Sequence, residues 1–153
     1  MIKLILAFFF ACFATLGFCI IFHVPYRHIP VASVIGALAW VVYKACTLQE
    51  ISPIVACFTA SCAVGLLSDI AARLCKDAAT VFIIPGILCL VPGSGMYNTM
   101  LSLVTGDLSE AASIGSNTVM MAGAIALGLL VIGAIVRITV SIAQRAIDLA
   151  GKL

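Results

Sequence analysis

The sequence predicts an all-α fold: a polytopic membrane helix bundle of about five spans, the fourth broken at Pro-Gly motifs. Hydrophobic residues make up 64% of the 153 residues and charged residues 9%, whereas an average soluble domain carries roughly 25% charged residues. A bilayer core needs about 20 apolar residues per helical span. The expected spans are residues 4–22, 31–46, 53–74, 80–105 and 108–140. Residues 1–153 are therefore expected to form a single transmembrane domain.

The first two spans are separated by a polar turn. The apolar run of residues 4–22 is longer than the core of a signal peptide, about 7–15 residues, and lacks a clear cleavage site, so we expect it to be retained. Pro25 and Pro30 in the following turn disfavour a continuous helix. The second span is short, which predicts that Lys44 near its end reaches toward the membrane surface.

The third and fifth spans carry polar residues near their ends. Pro53 suits the first turn of span three. Asp69 and Arg73 are four residues apart on one helix face, so they are expected to pair at the membrane edge; a gating or coupling carboxylate is the alternative for Asp69. Span five would extend about 50 Å, which predicts that one of its ends projects beyond the bilayer.

Basic residues are distributed unequally between the ends of these spans. With five crossings, six of them share one side: Arg27, Arg73, Lys76, Arg137, Arg145 and Lys152. Lys3 and Lys44 share the other. Because cytoplasmic loops retain Lys and Arg, the N-terminus is expected outside and the C-terminus in the cytoplasm. A re-entrant fourth segment would place the basic C-terminal tail opposite the other basic loops, so this segment is expected to cross fully.

Composition disfavours several classes of function. A net charge of +2 with scattered basic residues does not suggest nucleic-acid binding. The seven cysteines form no CxxC pair and are expected to serve as small packing residues. His23 and His28 lie in a turn with no visible metal or triad partner, so both are expected to be surface histidines. The absence of HExxH, GxSxG and phosphate-loop motifs predicts no enzyme activity, no catalytic residue, no metal and no cofactor.

The broken fourth segment is the main candidate for a binding site. Irregular backbone at membrane depth needs protein or a water-filled cavity around it, and the start of a half-helix attracts anionic groups. The alternative is that Pro85 and Pro92 merely kink a packed helix. The predicted binding residues are Gly93, Ser94, Gly95, Tyr97, Asn98 and Asn117.

Asn117 belongs to a polar face at the start of span five. Ser113, Ser116 and Asn117 follow i, i+3, i+4 spacing, and Glu110 lies one turn earlier. This face is expected to look into the protein or a cavity, where it could bind a zwitterion or a dicarboxylate. Hydrogen bonding between helices is the alternative.

Residues 17–27, GFCIIFHVPYR, and residues 84–97, IPGILCLVPGSGMY, resemble stretches of the threonine/serine exporter family. The second stretch is the more specific. The chain resembles in particular the small split subunit of this family, whose length and order of spans match residues 4–140. The resemblance implies a secondary exporter in a bacterial inner membrane, driven by an ion gradient. The implied cargo is threonine and serine or, in the split form, C4-dicarboxylates such as succinate.

The resemblance also implies a larger membrane subunit as partner, since fused members carry a further hydrophobic half and a cytoplasmic domain. Transporters commonly hold substrate between two repeats, and five spans without internal duplication provide one such unit. The second unit is expected from the larger subunit or from further copies of this chain. The lipid bilayer and a small-molecule substrate complete the expected partners, with no nucleic acid. A noncatalytic scaffold that stabilises a larger transporter chain is the alternative function.

Overall fold

The structure is a computed structural model that describes residues 2–150, with side chains described for residues 4–142. All regular elements in that part of the chain are helices, which confirms the predicted all-α membrane bundle. These helices are α1 (Ile2–Ile21), α2 (Ile29–Leu48), α3 (Pro53–Cys75), α4 (Thr80–Leu88), α5 (Gly93–Thr105) and α6 (Leu108–Ala150). Four are long and apolar enough to cross a membrane, and α4 with α5 forms a fifth candidate as a bent pair.

The local sequence explains where helices begin and end. Pro30 lies in the first turn of α2, where its missing N–H leaves no hydrogen bond unmade. α5 ends at Gly106, whose φ of 88° suits glycine. Asp107 then caps α6, because its carboxylate accepts a hydrogen bond from the backbone N–H of Glu110 at 3.0 Å. That bond holds the pKa of the Asp107 carboxyl below its ordinary value.

The fourth span is broken at the second Pro-Gly motif and not at the first. α4 and α5 are bent by 51° around residues 89–92, and Pro92 is the N-cap of α5. Pro85, by contrast, lies buried inside α4. A Cβ on the adjacent Gly86 would stand in van der Waals contact with Ile35 of α2 and Val64 of α3. Packing on both sides therefore keeps α4 helical through its proline, which alone would favour a kink.

α3 and α6 run parallel to each other. Ser61 packs against Gly128 and, four residues later on both helices, Gly65 packs against Ile132. α6 therefore begins at the end of the bundle opposite the end where α3 stops. α4 and α5, which meet at a bend of 51°, therefore lead the chain from the end where α3 stops toward the end where α6 begins.

The core lies where α2, α3 and α4 meet, and α1 packs on α2 and α4. Phe82 and Val64 are among its largest fully buried side chains. α6 packs on α3 and α5, whereas α5 packs on α6 alone among the described helices. α5 and residues 108–119 of α6 run antiparallel to each other.

Close contacts between helices pair a glycine on one helix with a hydroxyl side chain on the other. A side chain larger than hydrogen at these glycines would overlap the hydroxyl. Each hydroxyl donates a hydrogen bond to a carbonyl of its own helix, so the small residue allows close approach without an unpaired donor. The pairs are Gly36 with Thr15, Gly95 with Thr118 and Gly128 with Ser61.

α6 is longer than the hydrocarbon core is thick. Its 43 residues extend about 65 Å, about twice a 30 Å core, and the helix continues past the predicted span 108–140 to Ala150. The offset of 67 between Ser61 and Gly128 places Pro53, the first residue of α3, level with residue 120. The preceding residues of α6 therefore extend beyond α3 and lie beside α5.

The described basic residues at one end of the bundle are Arg27, Arg73, Lys76 and Arg137. This is the end where α1 turns into α2 and α3 into α4, and the parallel α6 brings Arg137 there. Lys44 lies toward the other end, near the end of α2. Lys152 lies outside the described residues, and Lys3 and Arg145 lie where side chains are not described.

Asp69 and Arg73 form the ion pair that their spacing predicts. Nε of Arg73 donates to Oδ2 of Asp69 at 2.6 Å, and the arginine side chain is about half exposed. Exposed pairs of this kind contribute about 0–1 kcal/mol. The pair therefore contributes little to holding α3 in place.

We expect the contact between α3 and α6 to be sensitive to a single methyl group. In Gly128→Ala, the new carbon would overlap the Ser61 hydroxyl and lie 2.9 Å from the carbonyl oxygen of Phe58, which is backbone and cannot rotate away. The free energy of unfolding in detergent, measured by denaturant titration, should fall by about 1–3 kcal/mol.

Gly133→Ala is the matched control, because no atom lies within 4 Å of a Cβ at that position of the same helix. This variant should leave the free energy of unfolding unchanged or slightly raised. Equal losses from the two substitutions would show that helix contact at Gly128 is not responsible.

Candidate functional site

A cavity of about 490 Å³ lies beside the break between α4 and α5. Three parts of the chain form its wall: α2, the segment around the break, and the first half of α6. We call it the break cavity. Its lining residues are Trp40, Tyr43, Cys89, Leu90, Val91, Pro92, Gly93, Ser94, Gly95, Ile114, Asn117, Thr118 and Met121.

The break cavity lies toward the end of the bundle where α2 ends and α3 begins. Gly95 in its wall contacts Thr118, and the register of α3 and α6 places Thr118 about level with Pro53, the first residue of α3. α2 and α6 do not pack against each other along their described lengths. The cavity therefore occupies the gap between these two helices, with the irregular backbone as part of its wall.

The start of α5 presents unpaired backbone donors to this cavity. The N–H of Gly93 donates to the carbonyl of Val91 at 2.8 Å, and the N–H of Met96 donates to the carbonyl of Pro92 at 3.2 Å. Between them, the N–H groups of Ser94 and Gly95 make no hydrogen bond to described residues. No side chain caps this helix, so its positive dipole end faces the cavity.

A close contact with α6 fixes the position of this helix start. A side chain at Gly95 would overlap Oγ1 of Thr118, so the absence of a Cβ lets the two helices touch. The Thr118 hydroxyl donates to the carbonyl of Ile114 at 2.7 Å. One turn further along α5, the hydroxyl of Thr99 donates to the carbonyl of Gly95 at 2.7 Å. These contacts hold the first turn of α5 against the cavity side of α6.

The opposite wall is aromatic, which the sequence reading did not include in the site. The rings of Trp40 and Tyr43 stack with centroids 5.3 Å apart and planes 26° from parallel. Nζ of Lys44 lies 5.5 Å from the centroid of the Trp40 ring, a cation–π contact. Lys44 thus lies over a residue that lines the cavity. The i, i+3 spacing of two aromatic residues beside a lysine was the signal in the sequence that could have suggested this wall.

The structure brings together four of the predicted binding residues: Gly93, Ser94, Gly95 and Asn117 line the break cavity. Tyr97 and Asn98 do not line it. Both are exposed on α5, and the Tyr97 side chain is 67% exposed. Asn98 lies one turn beyond Ser94 on the same side of the helix, so it continues the polar side of α5 away from the cavity.

The structure places only part of the predicted polar face of α6 at the cavity. Asn117 lines the break cavity, whereas Ser113 and Ser116 are exposed outside it. The Ser116 hydroxyl donates to the carbonyl of Ser113 at 3.0 Å. Glu110, one turn earlier, accepts a hydrogen bond from the buried Ser102 of α5 at 3.3 Å. Asn117 is thus the member of this face that could contact a bound molecule in the cavity.

The break cavity has no acidic residue in its wall. Its polar groups include the amides at the start of α5, the Ser94 and Thr118 hydroxyls, the Asn117 amide and the Tyr43 phenol. Together with the dipole of α5, this set favours a small molecule carrying a negative or hydrogen-bonding group. Within the described part of the chain, no cluster of three or more His, Cys, Asp or Glu residues is arranged to hold a metal ion.

Comparison with known proteins decides the family. Residues 7–135 match the family described as threonine/serine exporter, ThrE. The chain belongs to the threonine/serine exporter family. It is similar to an uncharacterized protein of Haemophilus influenzae, with 30% identity over 105 residues, which is 68% of this chain and 35% of that protein. The chain therefore spans about a third of the length of this relative. No solved structure matches it.

The family to which the chain belongs is described as one of exporters. The family match extends from α1 into α6 and includes the whole break. The apolar helices agree with a multi-pass membrane protein.

The contact between Gly95 and Thr118 can be tested by a double-mutant cycle. Gly95→Ala should lower the free energy of unfolding in detergent by about 1–3 kcal/mol, because its methyl group overlaps the threonine hydroxyl. In a Thr118→Ala background the same substitution should have a smaller effect, since the overlapping oxygen is gone. Additive effects of the two substitutions would show that the start of α5 is not held by this contact.

Proposed function

We propose that this chain is the membrane subunit of a two-component secondary exporter for small polar metabolites. The break cavity is part of the substrate path in this proposal. The observation that carries it is a cavity of about 490 Å³ bounded by a broken helix whose free amides face it. Small-molecule sites have volumes of about 300–1,000 Å³. Family membership supports export as the direction of transport.

The proposed cargo is threonine and serine or C4-dicarboxylates such as succinate. A carboxylate is common to all of these, and the N–H groups of Ser94 and Gly95 with the α5 dipole suit a carboxylate. The amide of Asn117 and the hydroxyl of Ser94 suit a second carboxylate or a hydroxyl group. Tyr97 and Asn98 stay in the proposal as a continuation of the path along α5.

A larger membrane subunit is the proposed partner. α5 packs on α6 alone among the described helices, and Ser94 and Asn117 are exposed although they line the cavity. Exposed amides at membrane depth are unfavourable in lipid, so another chain or water must cover this side. The Haemophilus influenzae relative contains further sequence, since this chain corresponds to 35% of its length. In the alternative, several copies of this chain associate and cover the exposed side of the cavity.

The proposed location is the bacterial inner membrane, with the N-terminus outside, the C-terminus in the cytoplasm, and transport driven by an ion gradient. The parallel packing of α3 and α6 supports five crossings. It gathers Arg27, Lys76 and Arg137 at one end of the bundle, which the tendency of Lys and Arg to stay in the cytoplasm assigns to that side.

Asn117→Leu should slow export without preventing membrane insertion. The substitution removes the amide from the cavity wall, and loss of a polar contact of about 1.4 kcal/mol corresponds to about a tenfold lower rate. Efflux of preloaded threonine and of preloaded succinate is measured separately in cells that contain both this chain and its larger partner.

Ser116→Leu is the matched control for this measurement. It introduces the same side chain at the neighbouring position of α6, outside the cavity. Its efflux rate should equal that of the unsubstituted protein. Equal rates for the two variants, at equal amounts in the membrane, would remove Asn117 from the path.

Cysteine accessibility separates a substrate path from a noncatalytic scaffold. In a background without the seven native cysteines, a cysteine at position 94 should react with a water-soluble thiol reagent, and saturating substrate should slow this reaction. A cysteine replacing Ser102, which is buried, should not react. If the cysteine at position 94 is as unreactive as that at position 102 in the assembled complex, the scaffold function is favoured instead.

A further inference from the structure

A buried histidine at the charged end of the bundle is not used by the proposed substrate path. His28, the N-cap of α2, is 3% exposed, so the expectation of a surface histidine is wrong at this position. Its Nε2 lies 3.0 Å from Oδ2 of Asp77, which belongs to the connection between α3 and α4. Its ring also packs edge-on against Phe82 of α4, with centroids 5.4 Å apart. Because His28 directly precedes α2 and contacts both Asp77 and Phe82, its side chain connects the start of α2 to the start of α4.

We propose that His28 and Asp77 form a proton-binding site that ties the base of the broken helix to α2 and makes export sensitive to protons at that end. Nε2 of His28 has two partners that cannot be used at once. When it carries no proton, it can accept the hydrogen bond from Nε of Arg27 at 2.8 Å. When it carries a proton, it can donate to Asp77.

In the second arrangement the protonated ring lies beside an ionised carboxylate. The backbone N–H of Ala78 donates to Asp77 at 2.8 Å and holds the pKa of that carboxyl below its ordinary value, and Arg27 and His28 lower it further. The carboxylate is therefore ionised over the range, about pH 5–8, in which histidines ordinarily change charge. A proton taken from water onto Nε2 then makes a charge-assisted hydrogen bond with Asp77, while Arg27 keeps its contact of 3.4 Å with the same carboxylate.

The other elements at this site bring no further charge into hydrogen-bonding distance of His28. α4 contributes the uncharged Phe82. His23 and Lys76 lie in the adjoining turns, and neither forms a hydrogen bond or ion pair with His28 in the described structure. The Nδ1 atom of His28 makes no hydrogen bond to the described residues.

A proton has a route to this site although the ring is buried. The Asp77 side chain is 29% exposed, so it connects Nε2 of His28 with water. No covalent bond is broken: one proton leaves the solution, and the ring gains one positive charge beside a carboxylate. Because Asp77 is three residues before α4, this charge pair fixes the end of α4 that leads to the break.

The effect on export follows from the proposed function, whereas proton binding does not depend on it. Exposing the break cavity to the two sides in turn requires α4 and α2 to change their relative positions. The protonated pair opposes that change because it joins the start of one helix to the start of the other. Acidification at this end should therefore slow export.

Proton binding can be measured directly, because the chain has two histidines. In His23→Asn, the ring of His28 is the remaining histidine, and its signals are followed by NMR in detergent from pH 5 to pH 8. The signals should shift over this range. With Asp77→Asn added, the shift should move to lower pH, since the carboxylate that stabilises the charged ring is gone. A ring that does not respond between these pH values, or that ignores Asp77→Asn, would overturn the proton site.

Export is then measured as exchange of labelled substrate in vesicles containing the complete complex, with equal pH on both sides to remove any proton gradient. Between pH 8 and pH 6 the rate should fall about fivefold in the unsubstituted protein and in His23→Asn, and less than about twofold in His28→Gln, which keeps a donor but does not titrate. The same pH dependence in His28→Gln would overturn the link to export. A ring that titrates in a complex that moves no substrate would contradict the proposed function and leave the proton site standing.

Discussion

The structure depends on the requirement that backbone amides and carbonyls be satisfied at membrane depth. A continuous helix meets this requirement by itself, but a helix interrupted near its middle cannot. The start of α5 has two N–H groups without a partner in the described structure, at Ser94 and Gly95. They face the break cavity, whose wall at Ser94 and Asn117 is exposed in this chain. The position of the break therefore determines where the surrounding helices must leave room.

Small residues allow the rest of the bundle to form around this irregular segment. Without a hydrophobic driving force between helices in lipid, association relies on close packing. Three interfaces achieve this by placing a hydroxyl side chain directly over a glycine. At Gly95 this contact fixes the helix start against α6, so the same device that holds the bundle together also positions the free amides. Stability and binding geometry therefore share residues here.

The wall of the break cavity itself contains no charged side chain. Lys44, which lies over an aromatic residue of the cavity wall, is the charged side chain nearest to the cavity along α2. Arg27 and Asp77 lie at the opposite end, where they surround His28. The cavity wall therefore offers no acidic partner to a bound ammonium group. A charge change at His28 must instead act on the cavity through α4, the helix that connects the two regions.

The sequence alone determined the all-α membrane bundle and the existence of a break, because long apolar runs and proline act locally on the backbone. It did not distinguish the two Pro-Gly motifs. Pro85 remains in a helix because α2 and α3 pack on both sides of Gly86, whereas Pro92 becomes an N-cap. That difference arises from neighbours distant in the sequence.

The binding site, too, was predictable from the sequence only in part. The candidates in the break itself follow from the local sequence, and Gly93, Ser94 and Gly95 do line the cavity. Which faces of α2 and α6 complete the wall depends on helix rotation and on the parallel register of α3 and α6, neither of which periodicity alone specifies. The tertiary structure therefore decided that Trp40 and Asn117 face the cavity. The physical reason is that the direction of a side chain in a bundle is set by the packing of the whole helix and not by its own segment.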